Sequence, residues 1–218
     1  FKNGDWQMID SMPTNEMDSL KKEYKDEFHV ADQLGTYYMA WNINKKILPE
    51  DSTLTGVEAE KAQAEIRQAI SLMIDRQYIV DEIGKADQIP ASTFVAKALK
   101  EPDGKSFASK AGTSKDYEGY YDASSKAVKK NYKKAIEILK KSGKFTNFPT
   151  LTYLYNTDDA HKAIGEYIQS ALGNAGIKLN LENQEWATFL TTRKAGDFTI
   201  SRNGWVADYN DPTTFLEL

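Results

Sequence analysis

Between Leu151 and Val206 the apolar residues switch repeatedly between two periods, and few folds accept that order. Leu151, Tyr153 and Tyr155 recur at every second position, as the buried face of a strand does. Ile164, Tyr167, Ile168, Ala171 and Leu172 then follow helical spacing, with Gly176 as the expected stop. Ile177, Leu179 and Leu181 alternate again, Trp186, Phe189 and Leu190 return to helical spacing ahead of Gly196, and residues 198–206 read as a third strand. A β-α-β-α-β order implies an α/β fold with a mixed, mostly parallel sheet covered by helices, because parallel neighbours need a crossover and a helix makes one compactly. Ligands meet such sheets at the carboxyl ends of the strands, which directs attention to the end of the third strand, beside Asp208.

The first half is less regular. Thr14 reads as the N-cap of a short amphipathic helix over residues 14–26, on Met17, Leu20 and Tyr24, and residues 35–44, with Tyr37, Tyr38, Met39 and Trp41, read as strand. Residues 58–74 carry the clearest early helix, since Ala62, Ile66, Ala69, Ile70 and Met73 recur at three- and four-residue spacing. Asp75 and Arg76 interrupt it, a shorter run follows on Ile79, Val80 and Ile83 up to Gly84, and Pro90 forbids continuation. Residues 91–124, rich in Gly, Ser, Asp and Tyr, read as a long irregular excursion. Residues 125–142 read as an amphipathic helix on Val128, Tyr132, Ala135 and Leu139, closed by Gly143, with lysines on its other face.

Charge is unevenly spread. Residues 97–144 hold 13 Lys against 6 Asp plus Glu, so this stretch is +7 and the remainder −11. A solvated helix face is the plain reading of that surplus; contact with anionic lipid headgroups or a partner is the functional one. The whole chain, at net −4, lacks the concentrated basic surface a nucleic-acid binder needs. It has no Cys, which excludes disulfide scaffolds, zinc ribbons and thiolate catalysis for this stretch. No apolar run approaches the roughly 18 residues of a membrane span. Residues 1–9 enter mid-pattern and residues 213–218 stop within an apolar run, so the chain reads as one lobe, residues 1–218, of a longer protein.

Catalytic and metal motifs fit poorly. His29 and His161 are far apart, with no HExxH, GxSxG or GxGxxG. Gly104-Lys105-Ser106 resembles the end of a phosphate loop, but Leu99 stands where its first glycine belongs. Asp208, Asn210 and Asp211 have calcium-loop spacing only until Pro212 and Thr213 take the places of the fifth ligand and the glycine. Asp158 and Asp159, before a helix, suit capping better than an acid and nucleophile pair. No metal or cofactor is expected.

Arg202 to Pro212 is left. Backbone at a strand end can pair with an extended peptide, Gly204 permits close approach, Trp205 offers an apolar wall, and Asp208 suits an ammonium. Two ordinary readings stand beside this: a Trp next to a strand is often core, and an Asp before Tyr-Asn-Asp-Pro is often a turn former.

The segments NQEW (183–186), TFL (188–190), TR (192–193) and RNGWVADYNDPTTFL (202–216) together resemble the oligopeptide-binding proteins of bacterial ABC importers, the family 5 extracellular solute-binding proteins. YNT (155–157) with His161, and EIRQAISLMIDR (65–76), are similar to earlier signatures of that family. The resemblance implies a periplasmic-binding-protein-like lobe, two of which close over a short peptide. The expected protein is a non-enzymatic, monomeric, extracytoplasmic receptor, periplasmic or lipid-anchored at the cell surface, that serves a membrane permease. It implies that Asp208 pairs with the peptide α-amino group, that the main chain of Gly204 and Val206 bonds the peptide backbone, and that Trp205 walls a side-chain pocket. Arg193, Arg202 and His161 occupy positions similar to groups that receive the peptide carboxylate in some members. Asn203 and Val206 fall where the family varies, which leaves pocket shape open. A receptor for an oligosaccharide or chelated metal, or a peptide-sensing module, are the competing readings.

Overall fold

A computed structural model of the chain describes residues 1–110, 114–141 and 147–218. A 3₁₀ turn at Thr14–Glu16 leads into α1 (Met17–Glu23), whose Met17 and Leu20 are buried. Pro13 holds the position before this turn and no side chain caps it, so Thr14 does not act as the expected N-cap. Strand β1 (Gly35–Trp41) follows, ending before the expected residue 44 because the chain turns at Asn42, whose carbonyl accepts from the Lys45 amide at 3.1 Å and whose side-chain oxygen accepts from the Asn44 amide at 3.0 Å.

Helix α2 (Gly56–Met73) buries the expected stripe. Asp75, which breaks that stripe, starts the next element: its carboxylate accepts from the Tyr78 amide and caps α3 (Arg76–Tyr78), which widens into a π-helical turn over Ile79–Gly84. The stretch from 91 to 124 holds, among the described residues, only an isolated bridge between Lys100 and Ser106 and the short α4 (Phe107–Lys110). Helix α5 (Val128–Lys141) comes next; its expected stop at Ser142 and Gly143 lies outside the described residues.

The remainder is β2 (Leu151–Asn156), α6 (Asp159–Gly173), β3 (Leu179–Gln184), α7 (Trp186–Ala195), β4 (Ile200–Val206) and α8 (Thr213–Leu216). Helix α7 ends as expected at Gly196, whose φ of +73° lets the Gly196 and Asp197 amides turn back to the Arg193 and Thr192 carbonyls. Helix α6 stops earlier than expected, at Gly173; Gly176 instead closes the turn after it, where the Ile177 amide reaches the Leu172 carbonyl.

The strands form one sheet in the order β1-β4-β2-β3. Strand β2 runs parallel to β3 and β4, whereas β1 is antiparallel to β4, which makes the sheet mixed and mostly parallel. The chain steps outward from β2 to β3 and then back past β2 to β4. Right-handed crossovers made in opposite directions place their helices on opposite faces. On one face Leu151, Tyr153 and Tyr155 join Ile168, Leu172, Leu139 and the buried stripe of α2 in the large core. Leu154 points the other way and is fully buried, as is Phe189 of α7.

Arg76 is enclosed within the large core's edge. Burial pushes its guanidinium below its ordinary value, while it donates to the Ser71 and Ile74 carbonyls and stacks on the Tyr121 ring at 4.8 Å. This contact fixes the end of the 91–124 excursion to the body. A separate small cluster of Val95, Ala96, Leu99 and Phe215 forms under the excursion, with Phe94, Trp205 and Ala207 packed on it.

Candidate functional site

The carboxyl ends of β2, β3 and β4 lie together, and β4 extends beyond its neighbour. Its pairing with β2 is confined to Ile200 and Ser201, against Tyr153 and Leu154. Its pairing with β1 continues to Val206. The Thr199 carbonyl and the Ala207 amide both bond toward the β1 side, at 2.9 and 2.7 Å. Main-chain groups of alternate strand residues point to opposite edges, so Arg202, Gly204 and Val206 direct theirs away from β1, along the edge that β2 has left. The Gly204 amide there meets the Asn203 side-chain oxygen at 2.9 Å. The two residues the sequence singles out for backbone pairing therefore share one strand edge.

Side-chain alternation divides the rest of the strip between the two faces. On the face of Arg202 and Gly204, the Tyr37 ring of β1 lies across Gly204, where a Cβ would sit 3.2 Å from the ring carbons. The same ring lies 4.8 Å from the Arg202 guanidinium and 6.0 Å from the His161 ring. Arg202 also stands 5.9 Å from Trp186, which is stacked on Phe189. His161 sits in the first turn of α6, 14% exposed, with its amide bonded to the Asp158 carboxylate at 2.9 Å. Asp158 thus caps α6 as expected. Burial and, secondarily, the Arg202 cation lower the His161 pKa, against a smaller opposing pull from Asp158. Neutral imidazole is the favoured state.

On the other face, Asn203 accepts from Arg193 of α7 at 3.0 Å, beside Tyr38 of β1. Burial raises the Tyr38 phenol and Arg193 opposes that shift. Trp205, also on this face, is partly buried against the small cluster, and its indole N–H reaches the Thr214 hydroxyl at 3.4 Å. Past the strand, the Asp208 amide donates to that same hydroxyl at 3.0 Å, which fixes the turn and leaves the Asp208 side chain exposed. Val206 is exposed at the strand tip. His161 and Arg202 are therefore neighbours, while Arg193 and Trp205 belong to the opposite side of β4.

Tyr37 and Trp186 were not singled out by the sequence. Their signal lies in register and exposure: both are large aromatic rings left in solvent at the same end of the sheet, at 64% and 52%. Among the described residues, three buried polar atoms without a hydrogen-bond partner lie at that end too, on Asn156, Gln184 and Arg202. Asn156 and Gln184 are register partners on β2 and β3. Leaving such groups unpaired costs about 1–3 kcal/mol each, and a polar ligand at the strand ends would offset it. Among the described residues no group of His, Asp and Glu is arranged to hold a metal ion, and no helix is long and apolar enough to cross a membrane.

A mixed sheet flanked by helices, with an extended strand edge at its carboxyl end, defines an α/β lobe of the kind in which ligands meet strand ends. The chain belongs to the bacterial extracellular solute-binding proteins, family 5, whose middle-region model matches residues 1–218. It is 31% identical to the dipeptide-binding protein DppE of Bacillus subtilis over 99% of this chain and 37% of that protein. It is 32% identical to the periplasmic oligopeptide-binding protein OppA of Salmonella typhimurium over 99% of this chain and 35% of that protein. The structure of the murein tripeptide-binding protein MppA of Escherichia coli superposes with a TM-score of 0.75 at 29% identity, covering all of this chain and 38% of that one. Haemophilus influenzae OppA in complex with RPPGFSPFR gives 0.69 at 29% identity, over 94% of this chain and 36% of that one. The chain thus spans little more than a third of the length of these relatives.

Proposed function

We propose that residues 1–218 form one lobe of a receptor that encloses a short peptide and passes it to an ABC permease outside the cytoplasm. The observation that carries this reading is the outer edge of β4 from Arg202 to Val206, which continues past its β2 partner with, among the described residues, no strand beside it, the Gly204 amide being held meanwhile by the Asn203 side chain. An extended peptide can add to such an edge as a strand, gaining affinity from backbone bonds that any sequence supplies. Asp208, exposed just beyond the edge, takes the peptide α-amino group, and Arg202 or His161 meets the other terminus at a distance set by peptide length. Relatives named for dipeptides, oligopeptides and murein peptides support a peptide over a sugar or a chelated metal. The role is transport without chemical turnover or a cofactor, and a monomer suffices for it.

Asp208→Ala in the full-length protein tests the assignment. Once lobe closure has removed water from the ion pair, losing the carboxylate should weaken peptide binding by about 2–5 kcal/mol. Titration calorimetry returning the wild-type affinity would remove Asp208 from the site.

A further inference from the structure

We propose that the lysine face of α5 docks the protein on an anionic phospholipid surface. Helix α5 packs against α2, and its rotation is set by Ala135 and Leu139, which are fully buried. That rotation leaves Lys129, Lys130, Lys133, Lys134, Lys140 and Lys141 exposed along a helix about 21 Å long. Glu137 is the one acidic residue on the helix. Among the described residues none of these six lysines forms an ion pair. Elsewhere on the surface, Lys2, Lys21, Lys45, Lys85 and Lys97 each lie 2.6–3.4 Å from a carboxylate. Asp122 also feels this face: it is held below its ordinary value mainly by Ser124, with Lys130 a lesser cause.

The composition of this face selects the partner. Protein interfaces favour Arg and aromatic rings and are depleted in Lys. The exposed face of α5 is Lys without Arg, and Tyr132 is turned partly inward to reach the Asn174 carbonyl at 3.4 Å. Compact ammonium charges on flexible stems suit a diffuse layer of phosphate headgroups, which requires no fixed fork geometry. Outside α5, which is +5, the chain sums to −9, so adsorption by bulk charge is disfavoured and attraction is concentrated on this face. The Tyr132 contact places the first half of α5 beside Asn174, which follows α6 at the amino ends of the strands, at the far end of the sheet from the tip of β4. Docking there leaves the candidate peptide site clear of the membrane.

Flotation of the full-length protein with lipid vesicles tests this, independently of whether the ligand is a peptide. Binding is expected to vesicles of phosphatidylcholine with about one third phosphatidylglycerol at low salt, to fade near physiological ionic strength or above, and to be absent on phosphatidylcholine alone. The quadruple variant K129Q/K130Q/K133Q/K134Q should bind the anionic vesicles about tenfold or more weakly, with unchanged circular dichroism and unchanged ligand affinity. Equal partition of wild type and variant, or equal partition onto both vesicle types, overturns the proposal. So does a lysine-dependent association with purified permease in the absence of any binding to anionic vesicles, because the partner is then an acidic protein surface.

Discussion

The large core and the small cluster around Phe215 are assembled from different kinds of chain. The large core is drawn mainly from long elements, β2, α6, β3, α2 and α5, each burying a periodic stripe. The small cluster collects Val95, Ala96 and Leu99 from the irregular excursion, Phe215 from a single helical turn, and flanking groups such as Leu34, Phe94 and Trp205. Both support the candidate site, but they support different parts of it. The large core holds β2 and β4 and hence the strand edge. The small cluster holds Trp205 and, through Thr214, the turn that presents Asp208. One site thus rests on a stiff edge and on a turn whose support is assembled from distant segments.

Phe215→Ala probes this division with the largest effect. Phe215 is 1% exposed and meets Phe94 edge-on at 5.9 Å, so truncation should cost about 3–5 kcal/mol. If the two clusters are separate supports, hydrogen exchange will accelerate across residues 94–107 and 205–216 while β2 and α6 remain protected. Peptide affinity should fall with the placement of Asp208. Leu139→Ala, in the large core, should instead loosen α5, α2 and the sheet together. Identical exchange patterns from the two variants would make the clusters one cooperative unit.

Gly204→Ala probes the stiff edge itself. A methyl group at this position would press on the Tyr37 ring at 3.2–3.3 Å, and the strand cannot retreat because β1 pairs with it on that side. The expected cost is about 1 kcal/mol in stability, at the low end for overpacking because the Tyr37 ring is exposed on its outer side. Tyr37→Ala in the same chain should recover most of it, which a double-mutant cycle by denaturant unfolding would read as coupling. Additive losses would mean that Gly204 serves some purpose other than accommodating the ring.

The same division governs what the sequence discloses. The stripes of α2, α5, α6 and the alternation of β2 and β3 are legible because one residue in two or three to four must face a core. The end of α7 is legible because Gly196 adopts a conformation that other residues resist. Residues 91–124 give no period, since Val95, Leu99 and Phe215 are brought together only by tertiary closure. The strip from Arg202 to Asp208 is recognisable as a motif, but its physical chemistry alone permits several uses. Its division between two faces, with Trp205 on the small cluster and Arg202 beside Tyr37, depends on register with β1. Tyr37 and Trp186 carry no local signal that separates them from core aromatics. Thr14 illustrates the opposite error: a good capping residue with a 3₁₀ turn already begun at its own position.

The smallest effect concerns the stiff side and is one of protonation. His161 is kept below its ordinary value of 6.5 by burial first and by Arg202 second, with Asp158 pulling upward. A base with a lowered native pKa binds its proton more weakly than the unfolded chain does. Its contribution to stability is therefore present above pH 6.5 and is lost as the pH falls below that value toward the native pKa. Arg202→Gln should move the His161 midpoint upward and shrink this acid sensitivity. Asp158→Ala should move the midpoint further down, while removing the α6 cap at a cost of about 1 kcal/mol. Imidazole proton resonances followed through a pH titration distinguish the three proteins. A common midpoint would mean that burial alone sets the state of His161 and that Arg202 directs its charge away from it, toward Trp186 and the open edge.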